Sequence, residues 1–203
     1  METRTHIFHL PVGETTITLQ DVAMIWGLNI DGLPVTNRNT SYSKPELLQR
    51  CARLLGFTPE ANRNKGAHLH LTALRDHCLQ HAITEYNTEE QVTQYSRCVA
   101  LLIIGGCMFL DSENSAVKLM YLQFLEDIDM VNTYSCGSAV LAYLYRELWS
   151  TAMGQKVDIC GPVKLLQIWA WSRFTVLCPD KEQQCSTTPE DASDALQGLH
   201  IPP

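Results

Sequence analysis

The eight cysteines of this 203-residue chain form no CxxC pair. Nor does the chain carry an HExxH helix motif, a Walker A phosphate loop or a GxGxxG dinucleotide turn. Their absence removes the usual sequence signs of a zinc protease, a P-loop nucleotidase and a Rossmann enzyme. Positive charge is also short, with 15 Lys and Arg against 22 Asp and Glu, a formal net charge of −7. Bulk electrostatics therefore do not draw this chain to phosphate backbones, so nucleic-acid binding would need a local basic patch. The longest apolar stretch, Val99–Leu110, is broken by Gly105-Gly106 and falls short of the roughly 20 residues that span a bilayer. It reads as a buried helix end, and no membrane association is expected. Met1–His9 is polar and charged, unlike a secretory leader. The expectation is a reducing intracellular compartment, with thiols packed as small hydrophobes.

A hydrophobic content of 45% is enough for a substantial core. The local signals are mostly helical. Thr18-Leu-Gln-Asp21 has the N-cap and acidic third position of a capping box, and Gly27 suits the left-handed residue that closes a helix. Before it, Ile7–Leu10 and Thr15–Thr18 read as short extended pieces around the Pro11-Val12-Gly13 turn. After it come an Asp31-Gly32 turn and extended Leu33–Thr36. Ser43-Lys-Pro-Glu46 opens a second helix with Leu47, Leu48, Cys51, Leu54 and Leu55 inward, stopped by Gly56. A third spans Thr72–Ile83 with Leu74, Cys78 and Leu79 inward. Thr88-Glu-Glu-Gln91 starts a fourth, Glu89–Gly105, with Val92, Tyr95, Val99, Leu102 and Ile103 on one face. Leu119–Ile128 reads as a short helix, Tyr134–Met153 as the strongest helix of the chain, and Gly161-Pro162 as the start of a last one through Trp171. The expected fold is mainly α, a single domain of about six to seven helices with short β pieces near the N-terminus. The stretch 180–203 is polar, acidic and turn-rich, and is expected to be a disordered tail.

Each candidate chemistry has a plainer structural counterpart. His77 and His81 stand one helical turn apart beside Cys78 and could share a metal, but no second ligand pair has matching spacing. Surface or helix-end histidines are the simpler reading. Glu126, Asp127 and Asp129, with Asp111 and Glu113 upstream, could hold Mg²⁺, or could be a solvated acidic face. Cys136-Gly-Ser138-Ala-Val140 approaches the GxSxG elbow but matches neither flank. Arg50, Arg53, Arg63, Lys65 and Arg75 are the only candidate basic patch, diluted by acidic neighbours. Trp149, Trp169 and Trp171 are expected in the core, with a partner groove as the sharper alternative.

Four blocks then carry a resemblance. They are FHLPVGETTITLQDVAMIWGLNIDGLPVT, LLGFTPEANRNKGAHLHLTALRD, LLIIGGCMFLDSENSAVKLMYLQFLEDIDMVNTYSCGSAVLAYLYREL and GPVKLLQIWAWSRF. In order and spacing they resemble the plant mobile domain, the domain of maintenance-of-meristems and MAIN-like proteins, also labelled aminotransferase-like. The similar region is roughly 5–179. The family pattern carries a further helix before the first block, where this chain begins. The resemblance implies a nuclear plant protein, akin to domains borne by transposons. Its implied role is in meristem maintenance, genome integrity and transposon silencing, beside a phosphatase-like partner with a related domain.

The family brings no agreed catalytic residues. The aminotransferase label asks for a Schiff-base lysine and a phosphate cup. Lys44, Lys65, Lys118, Lys156, Lys164 and Lys181 have no Gly/Ser-rich cup beside them. Neither that activity nor any cofactor or small-molecule substrate is expected. The leading expectation is a non-catalytic interaction module with its partner surface on Leu28, Asp31, Gly32, Pro34, Tyr134, Tyr145 and Trp149. The second is a transposon-derived nucleic-acid-associated domain using the basic patch, or a transposon remnant without function. An enzyme built on His77, His81 or the Glu126–Asp129 acids is the third.

Overall fold

A computed structural model of the chain describes residues 7–36, 42–60, 63–65, 67–110 and 115–179. The expected tail at 180–203 and the turn acids Asp111 and Glu113 lie outside them. The chain divides into two compact units, Met1–Leu166 and Gln167–Pro203. Among the described residues there are six α-helices. They are α1 (Leu19–Trp26), α2 (Lys44–Leu55), α3 (Leu71–Gln80), α4 (Glu89–Ile103), α5 (Cys136–Ala152) and α6 (Val163–Arg173). The mainly α class is as read from the sequence. None of the helices is long and apolar enough to cross a membrane.

The starts and stops follow local chemistry. Thr18, Ser43 and Thr88 each close a capping box at the head of α1, α2 and α4. Gly27 and Gly56 end α1 and α2 at φ 65° and 78°, the left-handed conformation that glycine adopts without a Cβ penalty.

Strand β1 (Phe8–Leu10) pairs antiparallel with β2 (Gly13–Thr15); the second extended piece, expected at Thr15–Thr18, falls two residues earlier, and Thr18 caps α1 instead. A second sheet was not anticipated. Strands β3 (Asn64–Lys65), β4 (His68–His70) and β5 (Ala116–Lys118) pair antiparallel in the order β3-β4-β5. Its strands are two or three residues long, too short to show alternation, and the β4–β5 partners are separated by two helices.

The core of the first unit sits where α2, α3 and α4 meet this sheet. Leu55, Leu69, Leu74, Cys98, Leu101 and Leu122 are fully enclosed there. A second set, Ile17, Val22, Val140 and Leu144, is buried along α1 and α5. Three residues assigned to inward faces are exposed instead. Leu79 is 73% exposed, because it is rotated about 100° from Cys78 around the helix. Val92 lies in the first turn of α4, and Ile103 lines a cleft open to solvent.

The expected helix Leu119–Ile128 is a 3₁₀ helix, Leu119–Phe124, followed by turns. The Arg97 guanidinium donates to the carbonyls of Leu125 and Glu126 at 2.7 and 2.8 Å, and the Asp129 amide donates to Asp127 Oδ1. In the second unit, Trp169 is buried and stands edge-on to Phe174 at 6.3 Å. Trp149 and Trp171 are half-buried.

Candidate functional site

The turn after α1 is clamped onto the entry to α5. Leu33 bridges Tyr134 in parallel, its amide donating to Thr133 O and its carbonyl accepting from the Ser135 amide, each at 2.8 Å. The Gly137 amide, in the first turn of α5, donates to Asn29 O at 2.8 Å. Helix α5 thus has an orphan donor met by a carbonyl from a distant segment rather than by its own N-cap side chain. The Ser135 and Ser138 hydroxyls stand 2.7 and 3.1 Å from Ile30 O and 2.7 Å from each other, sharing two protons among three contacts, and Asn29 Nδ2 donates to Asn132 O. Two glycines allow this contact. A Cβ on Gly32 would lie 2.2 Å from Thr133 O, and one on Gly137 would lie 2.8 Å from Ile30 Cγ2.

Behind the clamp lies an apolar cleft of about 340 Å³. Leu28, Asn29 and Val35 form one wall, and Val131, Asn132, Tyr134 and Cys136 the next. The last wall is the end of α4, with Ala100, Ile103, Ile104 and Met108. There the backbone widens into a π-helical turn, Ile104–Met108, a deformation frequent at functional sites. Gly105 lets that turn pack down, since a Cβ would fall 2.6 Å from Val117 Cβ and 2.8 Å from Leu71 Cδ2. Phe109 stacks on Tyr121 at 4.9 Å along the floor, and Phe124 meets Tyr134 edge-on at 5.2 Å. Burial pushes the Tyr121 phenol up to about 12 and raises the Cys136 thiol, so both present neutral groups near neutral pH. The volume is that of a pocket for a small apolar body, and pockets of this kind run from about 300 to 1,000 Å³.

Of the predicted partner surface, Leu28 and Tyr134 line the cleft, while Asp31, Gly32 and Pro34 are exposed on the turn that covers it. Tyr145 stands elsewhere, its hydroxyl bonded to Ile17 O and Thr16 Oγ1 ahead of α1. Trp149 is more than three turns down α5 from the cleft residue Cys136. The α4 wall was missed in the sequence. Its signal was the glycine pair inside Val99–Leu110, read there only as a helix end.

The other candidates are distributed differently. Arg50 and Arg53 converge on Glu126 Oε1 at 2.7 and 3.2 Å, with Arg50 also stacked on Tyr42. Arg63 is paired with Asp76, and Arg75 is exposed on α3. Lys65 lies on β3, apart from the Glu126 cluster in sequence and pairing. Three of the five basic residues are therefore paired with only two carboxylates, and the Arg50, Arg53 and Glu126 cluster keeps one net positive charge.

His77 stacks between Phe57 and His81, at 4.3 and 4.4 Å. Burial, and then the neighbouring His81, hold His77 below the usual histidine range. Among the described residues no group of three or more His, Cys, Asp or Glu is placed to hold a metal ion. The Ser138 hydroxyl is engaged with Ile30 O and Ser135 Oγ in the clamp, with no histidine in its bonding.

The known proteins that this chain resembles agree with the blocks read from its sequence. The family model described as the plant mobile domain matches residues 2–197. A serine/threonine-protein phosphatase 7 long form homolog of Arabidopsis thaliana is 37% identical over 190 residues, covering 94% of this chain and 14% of that protein. Protein MAIN-LIKE 1 of the same plant is 32% identical over 184 residues, 89% of this chain and 35% of the relative. Protein MAINTENANCE OF MERISTEMS is 31% identical over 179 residues, 87% and 36% respectively. The chain thus spans about a third or less of the length of these curated relatives. No solved structure matches it. The match across nearly the whole chain, with the capped helices and glycine stops in place, means that the chain belongs to the plant mobile domain family.

Proposed function

We propose that this chain is a non-catalytic interaction module. In this reading it acts in the nucleus, in meristem maintenance, transposon silencing and genome integrity, and binds a phosphatase-like protein that carries a related domain. The observation that carries the reading is that this one block of sequence recurs in differently named proteins. It is 14% of a phosphatase homologue and about a third of MAIN-LIKE 1 and MAINTENANCE OF MERISTEMS. A unit that recurs as a minor part of different polypeptides suits a shared docking role better than a shared reaction. The apolar cleft supports the reading, since its lining offers shape and apolar surface rather than a nucleophile beside a base.

The test is affinity purification of the tagged full chain from plant nuclei, with and without nuclease, followed by mass spectrometry. The expected result is nuclease-resistant recovery of a phosphatase-like protein with a related domain. A soluble, folded chain that recovers no such protein would sink the proposal.

A further inference from the structure

The cleft behind the clamp is uncharged. Among the described residues, no Lys, Arg, His, Asp or Glu lines it. Beside it, Arg50, Arg53 and Arg97 balance Glu126, Asp127 and Asp129, with Arg50 and Arg53 sharing the Glu126 carboxylate. An ion of either sign would leave water there without a counter-charge in the lining, which is costly. The lining does hold polar atoms. Asn29 and Asn132 are exposed, and Asn29 Nδ2 already donates to Asn132 O. Tyr121 differs, being only 9% exposed. Among the described residues its hydroxyl has no hydrogen-bond partner, whereas the hydroxyls of Tyr143 and Tyr145 donate to Leu110 O and Ile17 O. A hydroxyl so placed forfeits the hydrogen bonds it would make in water. Burial pushes its phenol up to about 12, so it carries a proton to donate near neutral pH. Around it, Phe109, Phe124 and Tyr134 add ring faces and edges, the surfaces on which a further ring stacks or stands edge-on.

We infer that this cleft binds an uncharged aromatic small molecule carrying a hydrogen-bond acceptor, its rings against the four aromatic side chains and its acceptor on the Tyr121 hydroxyl. The volume of about 340 Å³ suits such a ligand. Ile103, 52% exposed on the α4 wall, is apolar surface that the ligand covers. A peptide segment fits less well, since each residue brings a backbone donor and acceptor that need partners inside an apolar lining. The lining pairs no nucleophile with a base, so the ligand is held rather than converted. The inference goes beyond the interaction-module reading and does not rest on it.

The experiment titrates four probes into the full chain near neutral pH, following methyl resonances by NMR. The probes are acetylnaphthalene, naphthalene, naphthoate and naphthylmethylammonium. They share one ring system and differ in acceptor and charge. Acetylnaphthalene is expected to bind saturably, with shifts centred on the methyls of Ile103, Ile104 and Val131. The two charged probes should bind at least about tenfold more weakly. Tyr121→Phe keeps the ring and removes the hydroxyl. It should weaken acetylnaphthalene about threefold to tenfold and leave naphthalene unchanged. It should also melt no lower than the wild type, because the group it removes has no partner to lose. Ile103→Gln should weaken both neutral probes alike, by about threefold or more. Absence of saturable binding, charged probes held as tightly, shifts centred elsewhere, a lower melting midpoint for Tyr121→Phe, or an acetyl preference that survives that substitution would each overturn the inference.

Discussion

Gly32 shows how much one missing methyl can decide. It has φ +108°, and the space where a side chain would begin is occupied by the Thr133 carbonyl. Gly154 also has a positive φ, 69°, but a Cβ there would meet nothing within 4 Å. The pair separates backbone strain from close approach. Gly154→Ala is expected to cost about 1–2 kcal/mol, the ordinary left-handed penalty for an L residue. Gly32→Ala should cost more, because the turn must also lift off the entry to α5 and lose the Leu33 bridge. Urea denaturation of both variants checks this, and equal losses would show that the clamp is not tight. The sequence marked Asp31-Gly32 as a turn but gave no sign of Thr133, since the contact joins segments about a hundred residues apart. Gly105 follows the same logic, as its neighbours Val117 and Leu71 come from β5 and α3.

At the level of elements, the helix starts were legible because a capping box is local. Thr88 Oγ1 accepts from the Gln91 amide at 3.3 Å, and Gln91 Oε1 accepts from the Thr88 amide at 2.9 Å. Thr88→Ala should lower stability by about 1 kcal/mol, while Thr88→Ser should hold it near the wild-type value. Thermal melts of the two variants test this, and a serine variant as weak as the alanine one would remove the cap from the account. Helix α5 starts by a different device, with Asn29 O taking the Gly137 amide. That bond has no local signature, which is why the helix was expected to start at Tyr134 rather than Cys136. The segment Leu119–Ile128 also departs from the helix read in the sequence. Its apolar spacing resembles a helix, but the chain forms a 3₁₀ helix only to Phe124, and just past it the Leu125 and Glu126 carbonyls accept from the Arg97 guanidinium of α4.

Across the first unit as a whole, three thiols from three helices meet in one core: Cys51 on α2, Cys78 on α3 and Cys98 on α4. Burial pushes Cys51 up to about 11 and Cys98 up to about 12, and raises Cys78 as well. An acid whose folded pKa lies above its unfolded value, near 8.5 for a thiol, binds its proton more tightly when folded. The stability linked to that proton is complete below the unfolded value and is lost as pH rises toward the folded one. Resistance to urea should therefore fall between about pH 8.5 and pH 11, and the variant Cys51→Ala/Cys98→Ala should lose less over that window. A wild-type midpoint unchanged across the window would refute this. His77 works in the opposite direction, because its folded pKa is depressed. Its contribution is present above the unfolded histidine value, near 6.5, and declines as pH falls below it. The helical class, the capped starts, the glycine stops and the family were determined by the sequence alone, because each depends on residues within a turn or on the order of blocks along the chain. The second sheet, the clamp and the cleft were decided only by tertiary structure. Each arises where carbonyls, glycines and short strands far apart in sequence meet, and no local spacing encodes such a meeting.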